Sequence, residues 1–193
     1  ITTPEDMQFV MIPGGTGFPT FLEDLLRTDR RSFLKLETAF YDRFPHYESI
    51  EVPKSKGHNI LCFKTKWGQE LDAEEVSDGA LLYLAYLAVT HQPDPPGILL
   101  VEEPENGVHP AGLQATVEAL RELASKREVQ VIVTTHSPYL LDLVEPEQVR
   151  VFSKDEEGAV HARKLSDFPD AEDMKKHFMT GEIWTILSET QGI

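Results

Sequence analysis

The sequence predicts an α/β domain with a mainly parallel sheet flanked by helices and a small helical lobe. Three observations predict it. Ile98-Leu99-Leu100-Val101 runs directly into Glu102-Glu103-Pro104, a short apolar run closed by a turn, as expected of a strand buried on both faces of a parallel sheet. Val129 to Thr135 is a second apolar and β-branched run, ending at His136-Ser137-Pro138. Between them Leu113, Val117, Leu120 and Ala124 recur at spacings of three and four, the stripe of an amphipathic helix. Strand, helix and strand with a right-handed crossover set the two strands side by side.

Ligands of open α/β sheets bind outside the carboxyl ends of the strands. Glu102 and Glu103 sit at one such end and His136 at the other. Two adjacent acids there suit phosphate chemistry: one supports a hydrated Mg²⁺ and the other polarises an attacking water. A solvated acidic turn is the plain alternative for the acids alone. The histidine expected at the same sheet edge favours a site.

The other elements follow in chain order. Residues 7–12 read as a strand. Gly14-Gly15-Thr16-Gly17 reads as a loop, since it lacks the lysine that would reach a phosphate. Phe18 to Thr28 and Arg30 to Phe44 read as two helices. Residues 58–67 form a strand that meets Glu70-Leu71 across Gly68-Gln69. Ser77 is a candidate N-cap for a helix through Leu81 to Val89, whose N-terminal amides and dipole favour an anion. Pro138 to Val144 reads as a short helix. Val149 to Ser153 and Ala159 to Leu165, around Asp155-Glu156-Glu157-Gly158, read as a β-hairpin. Residues 170–189 hold two short helices.

Composition narrows the partners. Acids outnumber bases 33 to 18, a net charge of −15, which argues against a main nucleic-acid footprint. The best local cluster of bases, Arg27, Arg30, Arg31 and Lys35, reads as a solvated helix face. The single Cys62 excludes an internal disulfide and fits a reducing, cytoplasmic compartment. No run approaches the ~18 apolar residues of a membrane span. Glu105 and His109, four apart, read as turn and helix entry rather than a zinc site.

Glu102-Glu103-Pro104-Glu105-Asn106-Gly107-Val108-His109-Pro110 and Thr134-Thr135-His136-Ser137-Pro138 resemble the Walker B and switch-histidine segments of ABC-type ATPases. The resemblance is to the RecF, SMC and OLD-like group of AAA-labelled ATPases, and it implies a P-loop NTPase-like head. Glu102 would then support Mg²⁺, Glu103 would be the general base and His136 would contact the γ-phosphate of ATP. Asn106 and Gly107 would form a D-loop at a dimer interface. Most relatives carry aspartate where Glu102 stands. Val76-Ser77-Asp78-Gly79-Ala80 resembles the signature motif, with Asp78 where many members have glycine. In the family that motif binds nucleotide held by the opposite protomer, which implies roles for Ser77, Asp78 and Gly79. Glu182-Ile183-Trp184 resembles a frequent ending of the group.

No G-x-x-x-x-G-K-[ST] occurs in the chain, so the Walker A loop of such a head is absent. With Ile1 first, the chain is expected to be the C-terminal part of a longer ATPase. The expected organisation is a partial helical lobe with a connecting strand over 1–57, an ATPase core over 58–165 and C-terminal helices over 166–193. The expected function is ATP binding and hydrolysis by heads paired head to tail, in DNA repair or anti-phage defence. The alternative is a non-catalytic module that gates an effector such as a nuclease or toxin. A metal-dependent nuclease is disfavoured, since no second acidic strand tip follows Leu165. Nucleic acid would be reached only through an absent N-terminal part or a partner.

Overall fold

The computed structural model describes residues 17–93, 95–106, 108, 110–126 and 129–191. The strand expected at 7–12 lies outside them, as do Gly14 to Thr16, Gly107 and His109. The chain forms two compact units. One holds the described residues up to Leu99 together with Glu118–Val131; the other holds Leu100–Val117 and the described residues from Ile132 onward.

The first unit opens with helices α1 (Phe18–Thr28) and α2 (Arg30–Arg43). Asp29 separates them. Its carboxylate accepts the Ser32 amide at 3.1 Å and the Ser32 hydroxyl at 2.7 Å, which caps α2 and starts the new helix. Strands β1 (Tyr47–Glu51), β2 (Lys54–Ser55), β3 (His58–Asn59), β4 (Cys62–Thr65) and β5 (Glu70–Asp72) follow, and then α3 (Asp78–His91). β1, β4 and β5 form an antiparallel sheet in that order, with Ile50 opposite Phe63 and Phe63 opposite Leu71. The turn expected at Gly68-Gln69 is present, and Gly68 takes a φ of 80° there, a conformation glycine adopts without steric cost.

Leu22, Phe33, Leu36, Phe40, Phe63 and Leu84 are buried in one core. The Phe40 ring lies 5.6 Å from that of Tyr47 and 5.9 Å from that of Phe63. Each such side chain contributes about 1.5–3 kcal/mol on burial, so the apolar stripes of α1 and α2 hold this unit together.

Strand β6 (Ile98–Glu102), helix α4 (Pro110–Lys126) and strand β7 (Gln130–Thr134) pass from one unit into the other. β6 pairs with β7. The Gln130 amide donates to the Gly97 carbonyl and the Glu103 amide to the Thr134 carbonyl, both at 2.9 Å. Both strands therefore ascend together, as a parallel pair. The expectation that β6 is buried on both faces holds on one face only. Val101 is buried, whereas Ile98 is 57% exposed and Leu100 72%. Among the described residues, an apolar layer covers a single face of the pair.

In the second unit, Leu113 and Val117 of α4 pack with Val133, Leu140 and Leu143. Helix α5 (Pro138–Leu141) begins two residues after His136, with Ser137 as its N-cap. Strands β8 (Arg150–Lys154) and β9 (Val160–Lys164) form the expected antiparallel hairpin, followed by α6 (Ala171–Met174) and α7 (Thr180–Gln191). Val151 packs with Leu165, Phe168, Ile183 and Leu187. No helix of the described residues is long and apolar enough to cross a membrane.

α7 locks α5 in place. The Thr180 hydroxyl donates to the Val144 carbonyl at 2.6 Å, and the Gly181 amide to the Asp142 carboxylate at 2.8 Å. A Cβ on Gly181 would collide with the Pro138 carbonyl oxygen and lie 2.8 Å from the Asp142 carboxylate. The first obstacle is backbone and cannot swing aside. Gly181→Ala is therefore expected to lower stability by about 1–3 kcal/mol, the range for overpacking. The urea midpoint of the whole chain reads this; an unchanged midpoint would show that α7 is not docked this closely.

Candidate functional site at the ends of two parallel strands

The candidate site lies within the second unit, where β6 and β7 end. Glu103 is the first residue beyond β6, and its amide makes the last bond of the parallel pair. Its φ is +42°, uncommon for a residue with a side chain. Pro104 follows and restricts the residue before it further. Such strain costs on the order of 1–3 kcal/mol and collects at functional sites.

Local bonds hold this turn. The Asn106 amide donates to the Glu103 carbonyl at 2.9 Å, and the Asn106 side-chain amide to Glu103 Oε2 at 2.6 Å. Pro104 is fully buried. Glu103 Oε2 is thereby occupied, and Oε1 faces His136, whose Nε2 lies 3.9 Å away. The His136 side chain is 86% exposed and that of Glu103 38%. Thus the structure brings together Glu103, Asn106 and His136. Glu102 is exposed at the tip of β6.

Sequence reading passed over the residue that joins the two strand exits. Glu105 Oε1 accepts the Thr135 hydroxyl at 2.5 Å and the His136 amide at 3.2 Å. Thr135 Oγ1 in turn accepts the Ser137 amide at 3.0 Å, and Ser137 caps α5 through the Leu140 amide at 3.4 Å. One carboxylate thus sets the backbone that carries the histidine. Its other oxygen, Oε2, is buried with no hydrogen-bond partner among the described residues. Read alone, Glu105 looked like part of a turn. The available signal was an acid two places after the acid pair and the threonine directly before His136.

Ser77, Asp78 and Gly79 belong to the first unit. Ser77 caps α3, its hydroxyl accepting the Ala80 amide at 3.4 Å. Asp78 is exposed in the first turn of that helix, where the dipole favours a carboxylate.

Among the described residues no cluster of three or more His, Cys, Asp or Glu could hold a metal alone. Mg²⁺ asks for less. It keeps several waters and takes one or two carboxylates, with phosphate oxygens completing its shell. The exposed Glu102 carboxylate fits that requirement.

This is an ABC/AAA ATPase-like protein by its similarities to known proteins. Residues 17–142 match the family described as "AAA domain, putative AbiEii toxin, Type IV TA system", and the chain belongs to it. The OLD nuclease of Thermus scotoductus (strain ATCC 700910 / SA-01) is 36% identical over 64 residues, 33% of this chain and 12% of that protein. The match therefore spans about an eighth of that relative's length. A solved structure from work on ATP-driven dimerization and DNA stimulated activation of SMC ATPases superposes with a TM-score of 0.56 at 15% identity. The match covers 80% of this chain and 94% of that one. At that identity the likeness shows a shared fold, the P-loop NTPase-like α/β arrangement.

Glu105→Ala removes the acceptor of two bonds and is expected to cost about 1–3 kcal/mol, while Glu105→Gln keeps one acceptor oxygen and loses less. Urea midpoints give the order. Equal midpoints for wild type and Glu105→Ala would show that this carboxylate does not hold the two exits together.

Proposed function

We propose that this chain is the hydrolytic half of an ATPase head that closes around ATP with a second head, arranged head to tail. One observation carries the reading: the strained Glu103 carboxylate and the His136 imidazole, 33 positions apart in sequence, face each other at 3.9 Å.

The proposed steps follow from that geometry. Asn106 holds Glu103 Oε2, so Oε1 is the oxygen left to accept a proton from water. That water attacks the γ-phosphorus in line, the bond to the β,γ-bridging oxygen breaks, and the proton passes to Glu103. His136 Nε2, exposed on the same side, donates to a γ-phosphate oxygen. Glu102 would hold Mg²⁺, which would supply positive charge against the negative charge that develops on the phosphate. Ser77, Asp78 and Gly79 would meet the nucleotide held by the opposite head through the N-terminal amides of α3, with Asp78 turned from the phosphate. Asn106 lies on the turn that would face that head. The 193 residues contain no lysine-bearing glycine loop, so another segment or polypeptide would cradle the β- and γ-phosphates. A place in DNA repair or anti-phage defence is part of this reading; the family description names a toxin of a Type IV TA system, and the relative is an OLD nuclease.

In the intact ATPase, Glu103→Gln is expected to lower turnover by about 10²-fold or more while ATP stays bound and the paired heads persist. Phosphate release and retained radiolabelled ATP measure the two effects. Unchanged turnover would remove Glu103 from the role of base. Lost binding with lost turnover would mark it as part of the phosphate cradle instead.

A further inference from the structure

A second surface of the same unit stands apart from the strand tips and does not depend on ATP chemistry. In β8 and β9 Arg150 lies opposite Lys164, Phe152 opposite Ala162, and Lys154 opposite Val160. Opposed residues share a face. One face of the hairpin therefore carries Arg150, Lys154 and Lys164 around Phe152, with no acid among its six residues. The other face turns inward: Val151 is buried in the core, and the Arg163 guanidinium stacks on Phe168 at 4.5 Å. All six residues of the outward face are exposed, and Phe152 is 68% so.

The arrangement is costly in the free protein. Amide bonds from Leu165 to Val149 and from Asp155 to Ala159 set the alternation of the ladder. They make the Arg150–Lys164 pair a non-hydrogen-bonded one, whose side chains come closest. Like charges directly opposite one another are destabilising. Among the described residues no carboxylate relieves them. There Arg150 donates to the carbonyls of Glu147 and Val149, and Lys154 and Lys164 form no ion pair with another described residue. Neighbouring acids are engaged: Lys175 holds Glu145 at 3.7 Å and Glu147 at 2.7 Å, and His161 holds Asp155 at 2.8 Å. Glu156 and Glu157 remain at the hairpin tip.

We propose that this face binds single-stranded nucleic acid, with phosphates on Arg150, Lys154 and Lys164 and a base stacked on Phe152. Cations spaced around an exposed aromatic ring match a strand that alternates phosphate and base. An acidic polypeptide would match the cations and leave the ring without a role. It goes beyond the expectation that nucleic acid is reached only through an absent N-terminal part or a partner.

The test is fluorescence anisotropy of the intact chain with a fluorescein-labelled oligothymidylate, titrated from about 20 mM salt upward, where repulsion by the net negative charge is tested rather than hidden. Wild type is expected to bind with a log–log salt slope of roughly −2, the value for three single-strand phosphate contacts. Phe152→Ala and Phe152→Leu should each weaken binding roughly tenfold, as loss of one stacked base does. Lys154→Glu with Lys164→Glu should abolish it. All substitutions are on the exposed face, so thermal midpoints should stay within a few degrees of wild type. No binding by wild type at low salt overturns the proposal. So does binding that the Phe152 variants leave intact, or that poly-glutamate displaces as well as unlabelled oligonucleotide does; either marks a surface for acidic protein.

Discussion

The bond from the Glu103 amide to the Thr134 carbonyl is the constraint on which the site depends. It is the last rung of a parallel pair, and a parallel pair cannot be closed by a tight turn. The chain must leave β6, cross through α4 and return along β7 in the same direction. Both strands then end at one edge, and the residues after each end come together there. An antiparallel pair would have sent Glu103 and His136 to opposite edges. Bringing two segments this far apart in sequence together costs loop-closure entropy. The apolar contacts of Leu113, Val117, Val133 and Leu140 offset it.

Beyond that rung the backbone stops being regular, and side chains take over. Glu103 adopts a positive φ before a proline, which two independent steric rules disfavour. Glu105 answers from two residues on, accepting from Thr135 and from the His136 amide. A carboxylate with one oxygen twice bonded and the other buried without a partner among the described residues is a poor choice for stability alone. It is a good choice for holding a histidine backbone at a set place while leaving the imidazole free. Strain at one exit and a polar latch at the other are what a site selected for geometry looks like.

Much of the fold was legible because its elements carry short-range signals. The stripes of α1 and α2, the Ser77 cap, the glycine turn before β5 and the β8–β9 hairpin all depend on neighbours a few residues away, and each lies where the pattern put it. The meeting of Glu103 with His136 was legible from one long-range rule, the handedness of a strand–helix–strand crossover. Two things were not. The continuous apolar run of β6 is written for two covered faces, and pattern alone cannot say which segment supplies each cover. Glu105 and the basic face of the hairpin escaped for a different reason: each exists only through pairing. Thr135 is 30 positions from Glu105, and Arg150 and Lys164 become neighbours only when the ladder sets its register.

That register matters for how a chain of net charge −15 meets anions at all. Averaged along the sequence, its bases look dispersed, and averaged charge predicts repulsion from any phosphate. Averaging is the wrong operation at contact range. The Debye length is about 8 Å at physiological salt, so a phosphate on the hairpin responds mainly to the groups beside it, and these are Arg150, Lys154 and Lys164. The strand tips pose the opposite problem. Glu102, Glu103 and Glu105 follow closely in sequence, and His136 faces Glu103 at 3.9 Å. An acidic edge of this kind accepts a triphosphate only with counter-charge, from Mg²⁺ and from donors on the element that holds the phosphates. In the proposed function its own acids would then serve the two tasks that need a negative oxygen, holding the metal and taking a proton from water.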